Sequence, residues 1–316
     1  MKNKIYKFLF LKKINLTKAY RSAYYIFKKR FTNNYLIKSL SIISIPYFTY
    51  KIINNTINRK MDFYELEFPI TTICSLKCKY CSNLIPHYEN PINFPANDLI
   101  LDIESLFGIV SKIYNLKILG GEPFLHEKLD KILDFIIKSD KIVYITIISN
   151  STVVPNERIL NILKNKKIEV KLSNYNNIKE LNKIDEIIKV FKKYKIKYYL
   201  INNPWFDFGN FKSRNRNIRQ LREIFLKCPN RYFANVLLNG YYYICPRSAH
   251  GTDLGLIPKK RNEYFNLRSN RSNVEKKRRM HEFDNKIQFI NACNYCDECL
   301  IENPNYNIEV PSGEQN

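Results

Sequence analysis

Short apolar runs alternate with longer amphipathic segments from residue 61 to about residue 205. The run at 142–148 (IVYITII) is too apolar to face water on either side, which is typical of a strand inside a parallel sheet. Segments with apolar residues at helical spacing separate such runs and predict helices between the strands. The predicted strands span 63–70, 116–119, 142–148, 168–172 and 196–201, and the predicted helices span 98–114, 126–138, 155–164 and 178–194.

This alternation predicts an α/β protein with right-handed βαβ units and a parallel sheet, open or curled into a partial barrel. The alternation stops near residue 205. Farther along, apolar runs at 232–238 and 241–244 flank Asn239-Gly240, which is the strongest short-range signal for a β-hairpin. We therefore expect three parts: an N-terminal extension (1–60), an α/β part (61–211) and a small C-terminal domain of hairpin and helix (212–316).

The N-terminal extension is strongly basic. Residues 1–60 carry 14 Lys or Arg and no Asp or Glu, so they hold +14 of the net charge of +23. A basic segment rich in aromatic residues suits the surface of an anionic membrane, where each cation contributes about 1 kcal/mol. A solvated or packing extension, its composition set by A/T-rich codons, is the alternative. No cleavage site for an export signal is visible, and no run of about 18 apolar residues predicts a membrane-spanning helix.

The overall composition excludes a disordered or collagen-like chain, because 45% of the residues are apolar and only 8 are Gly. Two further basic clusters are typical of solvated faces, although either could hold a phosphate-bearing substrate. No added RNA-binding motif accompanies the charge, so we expect no nucleic-acid partner. The first cluster, on a predicted helix, comprises Lys212, Arg214, Arg216, Arg219 and Arg222, and the second comprises Lys276, Lys277, Arg278 and Arg279.

A group of three cysteines carries the first candidate chemistry. Cys74, Cys78 and Cys81 form a C-x3-C-x2-C pattern directly after the first predicted strand. Three thiolates in one short loop can bind three corners of a cubane cluster and leave one iron open to a small molecule. A zinc loop also uses C-x2-C pairs, but it needs a fourth ligand, for which His87 is the local candidate. The next predicted strand runs into Gly120-Gly121-Glu122-Pro123.

With these two motifs, residues 62–205 resemble the radical S-adenosylmethionine (SAM) superfamily. The resemblance implies a partial (β/α)6 TIM-type barrel. It implies a 4Fe–4S cluster on Cys74, Cys78 and Cys81, whose fourth iron binds SAM through the amino and carboxylate groups. It also implies that one electron from the reduced cluster cleaves SAM to a 5′-deoxyadenosyl radical, which abstracts a hydrogen from the substrate.

The same resemblance assigns further residues to the SAM site. In the family, backbone carbonyls of the Gly-Gly-Glu segment align the SAM amino group, and an aromatic residue between the second and third cysteines lies near the adenine. Polar residues at the ends of the third and fourth strands occupy ribose and carboxylate positions, although such residues also cap helices. The residues carried over are Tyr80, Gly120, Gly121, Glu122, Ser149, Asn150 and Ser173.

A second cysteine group lies beyond residue 227, and its C-x16-C-x47-C-x2-C spacing resembles the twitch-type auxiliary module, a shortened SPASM domain, of many radical SAM enzymes. The resemblance implies a second 4Fe–4S cluster, with the last cysteine spare or exchanging with its neighbour. A zinc ribbon made from the same thiols is the alternative, and disulfides are disfavoured because no export signal is visible. The implied ligands are Cys228, Cys245, Cys293 and Cys296, and Cys299 is the additional cysteine.

A fully ligated second cluster suits electron transfer from a product radical, so we expect a net oxidation that consumes SAM. Such a reaction needs a base, and the candidates are Arg247, Asp207, Tyr175 and His250. An external one-electron reductant such as flavodoxin or ferredoxin is expected. The expected location is the cytoplasm, including the inner surface of the membrane.

The substrate is indicated only by a looser resemblance. Segments 173–175, 205–209 and 245–250 resemble a radical SAM subgroup associated with cell-surface polysaccharide assembly, which favours a small-molecule or glycan-precursor substrate such as a sugar or nucleotide-sugar. Peptide maturation is the alternative, although residues 1–60 do not have the pattern of a winged-helix recognition module. RNA modification is disfavoured. The non-enzyme alternative is a basic binding protein whose eight thiols hold structural zinc.

Overall fold

The computed structural model of the protein describes residues 61–175, 181–202, 205–228, 230–297 and 309–316. The chain divides into two units, Met1–Tyr64 and Glu65–Asn316. The described part of the first unit contains the short strand β1 (Asp62–Phe63). The basic extension at residues 1–60, together with its predicted membrane contact, lies outside the described residues.

The larger unit is built around a parallel sheet. Five strands follow one another in both sequence and space, and each pairs in parallel with the next. Their central residues, such as Phe68, Ile118 and Ile145, are fully buried. The strands are β2 (Leu66–Thr71), β3 (Lys112–Gly120), β4 (Ile142–Ser149), β5 (Ile168–Ser173) and β6 (Tyr198–Ile201).

A helix lies between each pair of successive strands. Buried residues such as Leu133 and Ile187 line one side of these helices, as the helical spacing of the sequence predicts. The α/β class is therefore confirmed, and the parallel strands form the partial TIM-type barrel that the sequence predicts. The helices are α1 (Ala96–Phe107), α2 (Leu129–Lys138), α3 (Glu157–Leu163) and α4 (Ile184–Tyr194).

The structure corrects details of the sequence prediction in the α/β part. The helix predicted at 98–114 spans Ala96–Phe107 instead, and residues 112–114 belong to β3, which begins at Lys112. The strand at 142–148 was expected to avoid water on both faces, but Val143 and Tyr144 are 36% and 38% exposed. They are exposed because β5 pairs with β4 only from Ile145 onward.

The chain after β6 forms smaller elements. β7 (Trp205–Phe206) pairs antiparallel with β11 (Glu309–Val310). The predicted hairpin is confirmed, since Asn239 and Gly240, with φ of 47° and 78°, join two antiparallel strands. These strands are β8 (Val236–Leu238) and β9 (Tyr241–Tyr243), and the other elements are α5 (Ile218–Lys227), α6 (Asn230–Phe233), α7 (Pro246–Asp253), β10 (Tyr264–Asn266) and α8 (Asn273–Lys286).

The hairpin extends the parallel sheet. β8 pairs in parallel with β2, where Val236 lies opposite Glu67, so the strand order is β10-β9-β8-β2-β3-β4-β5-β6. The strand predicted at 232–238 is shorter than expected because residues 230–233 form α6. Across the described ranges, every helix is too short or too polar to cross a membrane.

Candidate functional site

Three cysteine side chains come together on the loop that follows β2. Cys74, Cys78 and Cys81 belong to one packed group with Leu76 and Tyr175. Burial, assisted by the neighbouring cysteine thiols, raises the pKa of Cys74 to about 12 and that of Cys78 to about 11. Buried thiols this close together ionise readily only when a cation compensates their charge. The chemistry of this donor set therefore fits an iron–sulfur cluster.

A cluster and a single ion require different arrangements of ligands. Within the ranges that the structure describes, no group of three or more His, Cys, Asp or Glu residues could hold a metal ion. In a cubane cluster each thiolate binds a different iron, so the ligands do not meet at one point as they do around zinc. The assignment of the cysteines as ligands stays a prediction.

The Gly-Gly-Glu turn at the end of β3 lies directly against the segment that enters the cysteine loop. The Gly121 N–H donates to the Thr71 carbonyl and the Glu122 N–H to the Ile73 carbonyl, both at 2.8 Å. A Cβ on Gly120 would overlap the Thr71 carbonyl oxygen, and a Cβ on Gly121 would overlap that of Ile73. The two glycines therefore allow the end of β3 to touch the segment before the first cysteine.

Glu122 ties together the ends of β3 and β4. Its side chain is fully buried, and its carboxylate accepts hydrogen bonds from the Asn150 N–H (2.7 Å), the Ser149 hydroxyl (3.1 Å) and the Phe124 N–H (3.1 Å). Burial raises the pKa of Glu122 to about 7, although these hydrogen bonds oppose the shift. The Glu122 carboxylate thus bonds to groups of the protein itself, and the backbone of the turn is the part that is left for a ligand.

Asn150 connects β4 to the cysteine loop. Its side-chain amide donates to the Cys74 sulfur at 3.4 Å and to the Ser75 hydroxyl at 3.1 Å. Its side-chain carbonyl accepts from Thr152, whose N–H lies at 3.0 Å. The alternative role as a helix cap does not apply here, because Asn156 caps α3. The structure therefore brings Asn150 to the cysteine loop and Ser149 to Glu122, and their assignment to the SAM site stays a prediction.

Aromatic residues flank the cysteine loop. The Tyr175 ring packs nearly perpendicular to the Trp205 ring, with 5.4 Å between the ring centres, and Trp205 borders the cysteine group. Burial raises the pKa of Tyr175 in spite of a hydrogen bond to Ser173, so this phenol stays protonated and is a poor base. Tyr80 is half-buried, and the Lys79 ammonium lies 5.0 Å from its ring centre.

Two of the base candidates hold a loop in the C-terminal region. The Asp207 carboxylate accepts from the Gly209 N–H at 2.7 Å. The Arg247 guanidinium donates to the carbonyls of Gly209 (2.7 Å), Asn210 (2.9 Å) and Tyr295 (2.8 Å). These bonds place Arg247 at the second cysteine group, where burial lowers its pKa and the Cys296 thiol opposes the shift. As a cation bound to three carbonyls, Arg247 is not suited to accept a proton.

The fourth base candidate, His250, is fully buried in α7. Its Nδ1 lies 2.9 Å from the Tyr88 hydroxyl, which donates its only proton to Asp253 at 2.9 Å. Nδ1 must therefore carry the imidazole proton, and Nε2 is a buried acceptor without a partner among the described residues. Burial lowers the pKa of His250 to about 3. The structure thus does not bring the four base candidates together at one site.

The second cysteine group lies between α5, α7 and the 3-10 turn Asn291–Tyr295. The Cys293 thiol interacts electrostatically with those of Cys245, Cys228 and Cys296, so the four thiols predicted to share a cluster are neighbours. Burial raises the pKa of Cys293 and raises that of Cys245 to about 12. The donor set fits a second cluster for the same reason as the first. Cys299 lies outside the described residues.

The first basic cluster is misplaced by the sequence prediction. Asn217 caps α5 in a capping box with Gln220, so the helix begins at Ile218, and Arg214 and Arg216 lie in the loop before it. Arg216 donates to the carbonyls of Cys293 and Cys296, each at 2.6 Å.

Arg214 completes this contact, because it forms a two-bond ion pair with Asp297 at 2.8 and 2.7 Å. The loop around Arg214 and Arg216 is therefore a clamp on the second cysteine loop, and we call it the arginine clamp. Sequence reasoning missed this role because about 80 residues separate the partners.

Sequence reasoning also missed a segment that covers the first cysteine loop. Gln315 bonds to the loop with both ends of its side-chain amide: it accepts from the Lys77 N–H at 2.7 Å and donates to the Cys78 sulfur at 3.4 Å. No spacing pattern points to this contact, because 237 residues separate Gln315 from Cys78.

One residue of the second basic cluster, Arg279, lines a cavity. The cavity, of about 610 Å³, lies between β10 and α8, and basic side chains including Arg261, Arg271 and Arg279 line it together with Tyr264 and Phe283. None of the cysteines in the described ranges lines it. Within the cluster, Arg279 pairs with Glu275 at 2.9 Å.

Comparison with known proteins gives one family. Residues 68–202 match the family model described as the radical SAM superfamily. Similar solved structures include Streptococcus suis SuiB bound to S-adenosylmethionine, with 21% identity over 53% of this chain, 38% of the SuiB chain covered and a TM-score of 0.35. They also include anSMEcpe with bound AdoMet and Cp18Cys peptide, with 16% identity, 77% of this chain and 91% of the anSMEcpe chain covered, and a TM-score of 0.45. A third is BtrN in complex with AdoMet and 2-DOIA, with 13% identity, 80% of this chain and 98% of the BtrN chain covered, and a TM-score of 0.45. No curated protein matches this chain.

Proposed function

Because residues 68–202 belong to the radical SAM superfamily, we propose that Cys74, Cys78 and Cys81 hold a 4Fe–4S cluster whose fourth iron binds SAM. The observation that carries this proposal is the packing of three thiols, one buried and two half-buried, on one loop beside the Gly-Gly-Glu turn. When bound, the cluster supplies the electron that splits SAM and so generates the radical that abstracts a substrate hydrogen.

The surrounding residues have distinct tasks in this proposal. Glu122 fixes the turn from which backbone carbonyls face the SAM amino group. Asn150 orients the Cys74 sulfur through its side-chain amide. Tyr175 and Trp205 cover the cysteine group and exclude water, which protects a reactive radical from side reactions.

For the second group, we propose a fully ligated 4Fe–4S cluster on Cys228, Cys245, Cys293 and Cys296. The proximity of the other three thiols to the buried Cys293 supports it, as does the arginine clamp, which places a cation against the backbone of the loop that carries two of them. Such a cluster has no open iron and suits electron transfer, which makes a net oxidation the expected reaction. Asp207 is the base candidate that we retain, because Tyr175 stays protonated, Arg247 is a cation and His250 is buried beside Tyr88.

We propose a sugar or nucleotide-sugar substrate, on the resemblance of segments 173–175, 205–209 and 245–250 to the polysaccharide-associated subgroup. A peptide is the alternative substrate, and an external flavodoxin or ferredoxin is the proposed reductant. Deuterium-labelled candidates of both classes decide between them: the true substrate transfers its label into 5′-deoxyadenosine, and a substrate class that never does so is excluded.

The cluster proposal is tested by anaerobic reconstitution. The protein should take up about eight irons, absorb broadly near 400 nm and release 5′-deoxyadenosine from SAM with dithionite. Cys78→Ala should abolish the release, whereas the matched Cys245→Ala should lose about half of the iron, keep SAM cleavage and lose net oxidation of substrate. A colourless protein with stoichiometric zinc and no 5′-deoxyadenosine would contradict the proposal and support the structural-zinc alternative.

A further inference from the structure

The segment 309–316, which we call the strap, runs along the first cysteine loop. It begins with β11, which pairs with β7, and its later residues pair with the loop as a short antiparallel bridge between Cys78 and Gln315. The Lys79 N–H donates to the Glu314 carbonyl at 2.8 Å, and the Asn316 N–H donates to the Lys77 carbonyl at 3.0 Å. Backbone bonds thus hold the strap on both sides of Cys78.

The strap also packs against Tyr175, one of the aromatic residues beside the first cysteine group. Gly313, with φ of 77°, lies so close to the Tyr175 ring that a Cβ there would collide with it. The Lys79 ammonium pairs with the Glu314 carboxylate at 3.4 Å. The strap is therefore in contact with two of the elements that enclose the thiols: the cysteine loop and Tyr175.

Gln315 places a hydrogen-bond donor on a thiol of the group. Its side-chain carbonyl accepts from the Lys77 N–H at 2.7 Å, and its amide nitrogen donates to the Gly313 carbonyl (2.6 Å) and to the Cys78 sulfur (3.4 Å). The reverse orientation of the amide would set its NH2 against the Lys77 N–H and its oxygen against the Gly313 carbonyl. These two neighbours therefore fix the amide with its N–H toward sulfur.

We propose that Gln315 is a positioning residue for the cluster on Cys74, Cys78 and Cys81: its amide holds the Cys78 sulfur in place and raises the reduction potential of that cluster. This inference rests on the proposed function. A hydrogen bond to a ligating sulfur stabilises the reduced cluster more than the oxidised one, because reduction adds negative charge to the sulfur. Asn150 has the corresponding place at Cys74, so two side-chain amides serve two of the three sulfurs.

Two variants separate the hydrogen bond to sulfur from the ordering of the loop. Gln315→Leu removes both the donor and the acceptor at similar size. Gln315→Glu keeps an acceptor for the Lys77 N–H but removes the donor to sulfur. The matched control is Gln288→Leu, at an exposed glutamine that lines the cavity between β10 and α8 and does not belong to the packed group around the first cysteines.

The first measurement is a reduction titration followed by electron paramagnetic resonance, using the cluster signal that changes on addition of SAM. Both Gln315 variants should hold about tenfold less reduced cluster at a fixed potential, a shift of about −59 mV for one electron. The second measurement is hydrogen exchange of the Lys77 amide, which should speed up in Gln315→Leu and stay slow in Gln315→Glu. Gln288→Leu should match the wild type in both.

The outcomes are distinct. Wild-type iron and wild-type potential in both Gln315 variants would overturn the inference while leaving the proposed function intact. A lower potential in Gln315→Leu alone, with a freely exchanging Lys77 amide, would mean that the strap acts only by ordering the loop, and the role of the N–H donor would be wrong. If Gln315→Leu fails to retain iron, the reduction potential of the cluster in Gln315→Glu decides: a wild-type value overturns the inference, and a lower value supports it. A wild-type protein without a SAM-responsive cluster would refute the proposed function itself.

Discussion

At the scale of single residues, the polar side chains around the first cysteine group bond to the protein and leave backbone acceptors for a ligand. The Gly120 carbonyl accepts from the Asn83 side-chain amide at 3.2 Å. Because a carbonyl oxygen has two lone pairs, Gly120 keeps a second position for the SAM amino group of the proposed function. Glu122, in contrast, has three donors on its carboxylate. Hydrogen bonds within the protein thus hold the turn in place.

The buried imidazole of His250 makes stability depend on pH. Burial lowers its pKa to about 3, from about 6.5 in the unfolded chain. As pH falls through this window, the unfolded chain binds a proton that the folded protein excludes, so folding stability is lost on acidification. Between pH 7 and pH 5 the His250 contribution should cost about 2 kcal/mol, and His250→Phe should remove that cost. Urea unfolding at the two pH values measures it.

Tyr88→Phe is the control for this pH effect. It deletes the hydroxyl beside His250 and should cost about 1 kcal/mol at both pH values, while the loss on acidification stays. Equal losses between pH 7 and pH 5 in the wild type and in His250→Phe would contradict the assignment.

The cysteines could be predicted from sequence, whereas most of their neighbours could not. Cys74, Cys78 and Cys81 lie within eight positions, and their spacing alone restricts them to one loop. Gln315 lies 237 positions from Cys78 and contacts it only in the folded chain, so no local sequence pattern predicts this contact. Asn150 lies near Cys74 because the carboxyl ends of parallel strands meet at one edge of the sheet, and its role toward SAM stays a prediction.

At the scale of elements, the second cysteine group depends on where α5 begins. Asn217 accepts from the Gln220 N–H, and Gln220 bonds back to the Asn217 N–H, which stops the helix at this point. Arg214 and Arg216 therefore lie before the helix, in the loop that forms the arginine clamp. A run of basic residues on a predicted helix indicated a solvated face, and the capping box explains why two of them instead point at a cysteine loop.

The clamp gives a prediction about the second group alone. Arg216→Met removes the bonds to the carbonyls of Cys293 and Cys296, and should lower the free energy of unfolding by about 1–3 kcal/mol because two buried acceptors lose their donor. Reconstituted Arg216→Met should retain fewer than about eight irons and still cleave SAM. Iron analysis and 5′-deoxyadenosine assays measure both effects.

Arg219→Met is the matched control for the clamp. Its side chain is 89% exposed on α5 and pairs with Glu223 at the surface, so the change should stay within about 0.5 kcal/mol. Loss of SAM cleavage in Arg216→Met would show that the two cysteine groups are not independent.

At the scale of the whole molecule, one sheet and one buried ion pair join the barrel strands to the C-terminal hairpin. β8 pairs with β2, so the hairpin continues the sheet. Asp102 on α1 is fully buried and bonds to Arg268, just after β10, at 2.6 and 2.9 Å. It also accepts from the Gly240 N–H in the hairpin turn. The alternation of strand and helix patterns in the sequence stops near residue 205. The long-range contacts between Asp102, Arg268 and Gly240 cannot be predicted from that pattern.

Arg268→Met tests whether residues 65–316 unfold as one unit. It leaves the Asp102 carboxylate buried without its cation, which should cost about 3 kcal/mol. Because the sheet is continuous, fluorescence of the single tryptophan, Trp205, and hydrogen exchange of the β8–β9 amides should shift together. Arg271→Met, which breaks a half-exposed pair with Glu275, should shift neither. A shift confined to the hairpin amides would instead support separate domains divided near residue 211, as the sequence predicts.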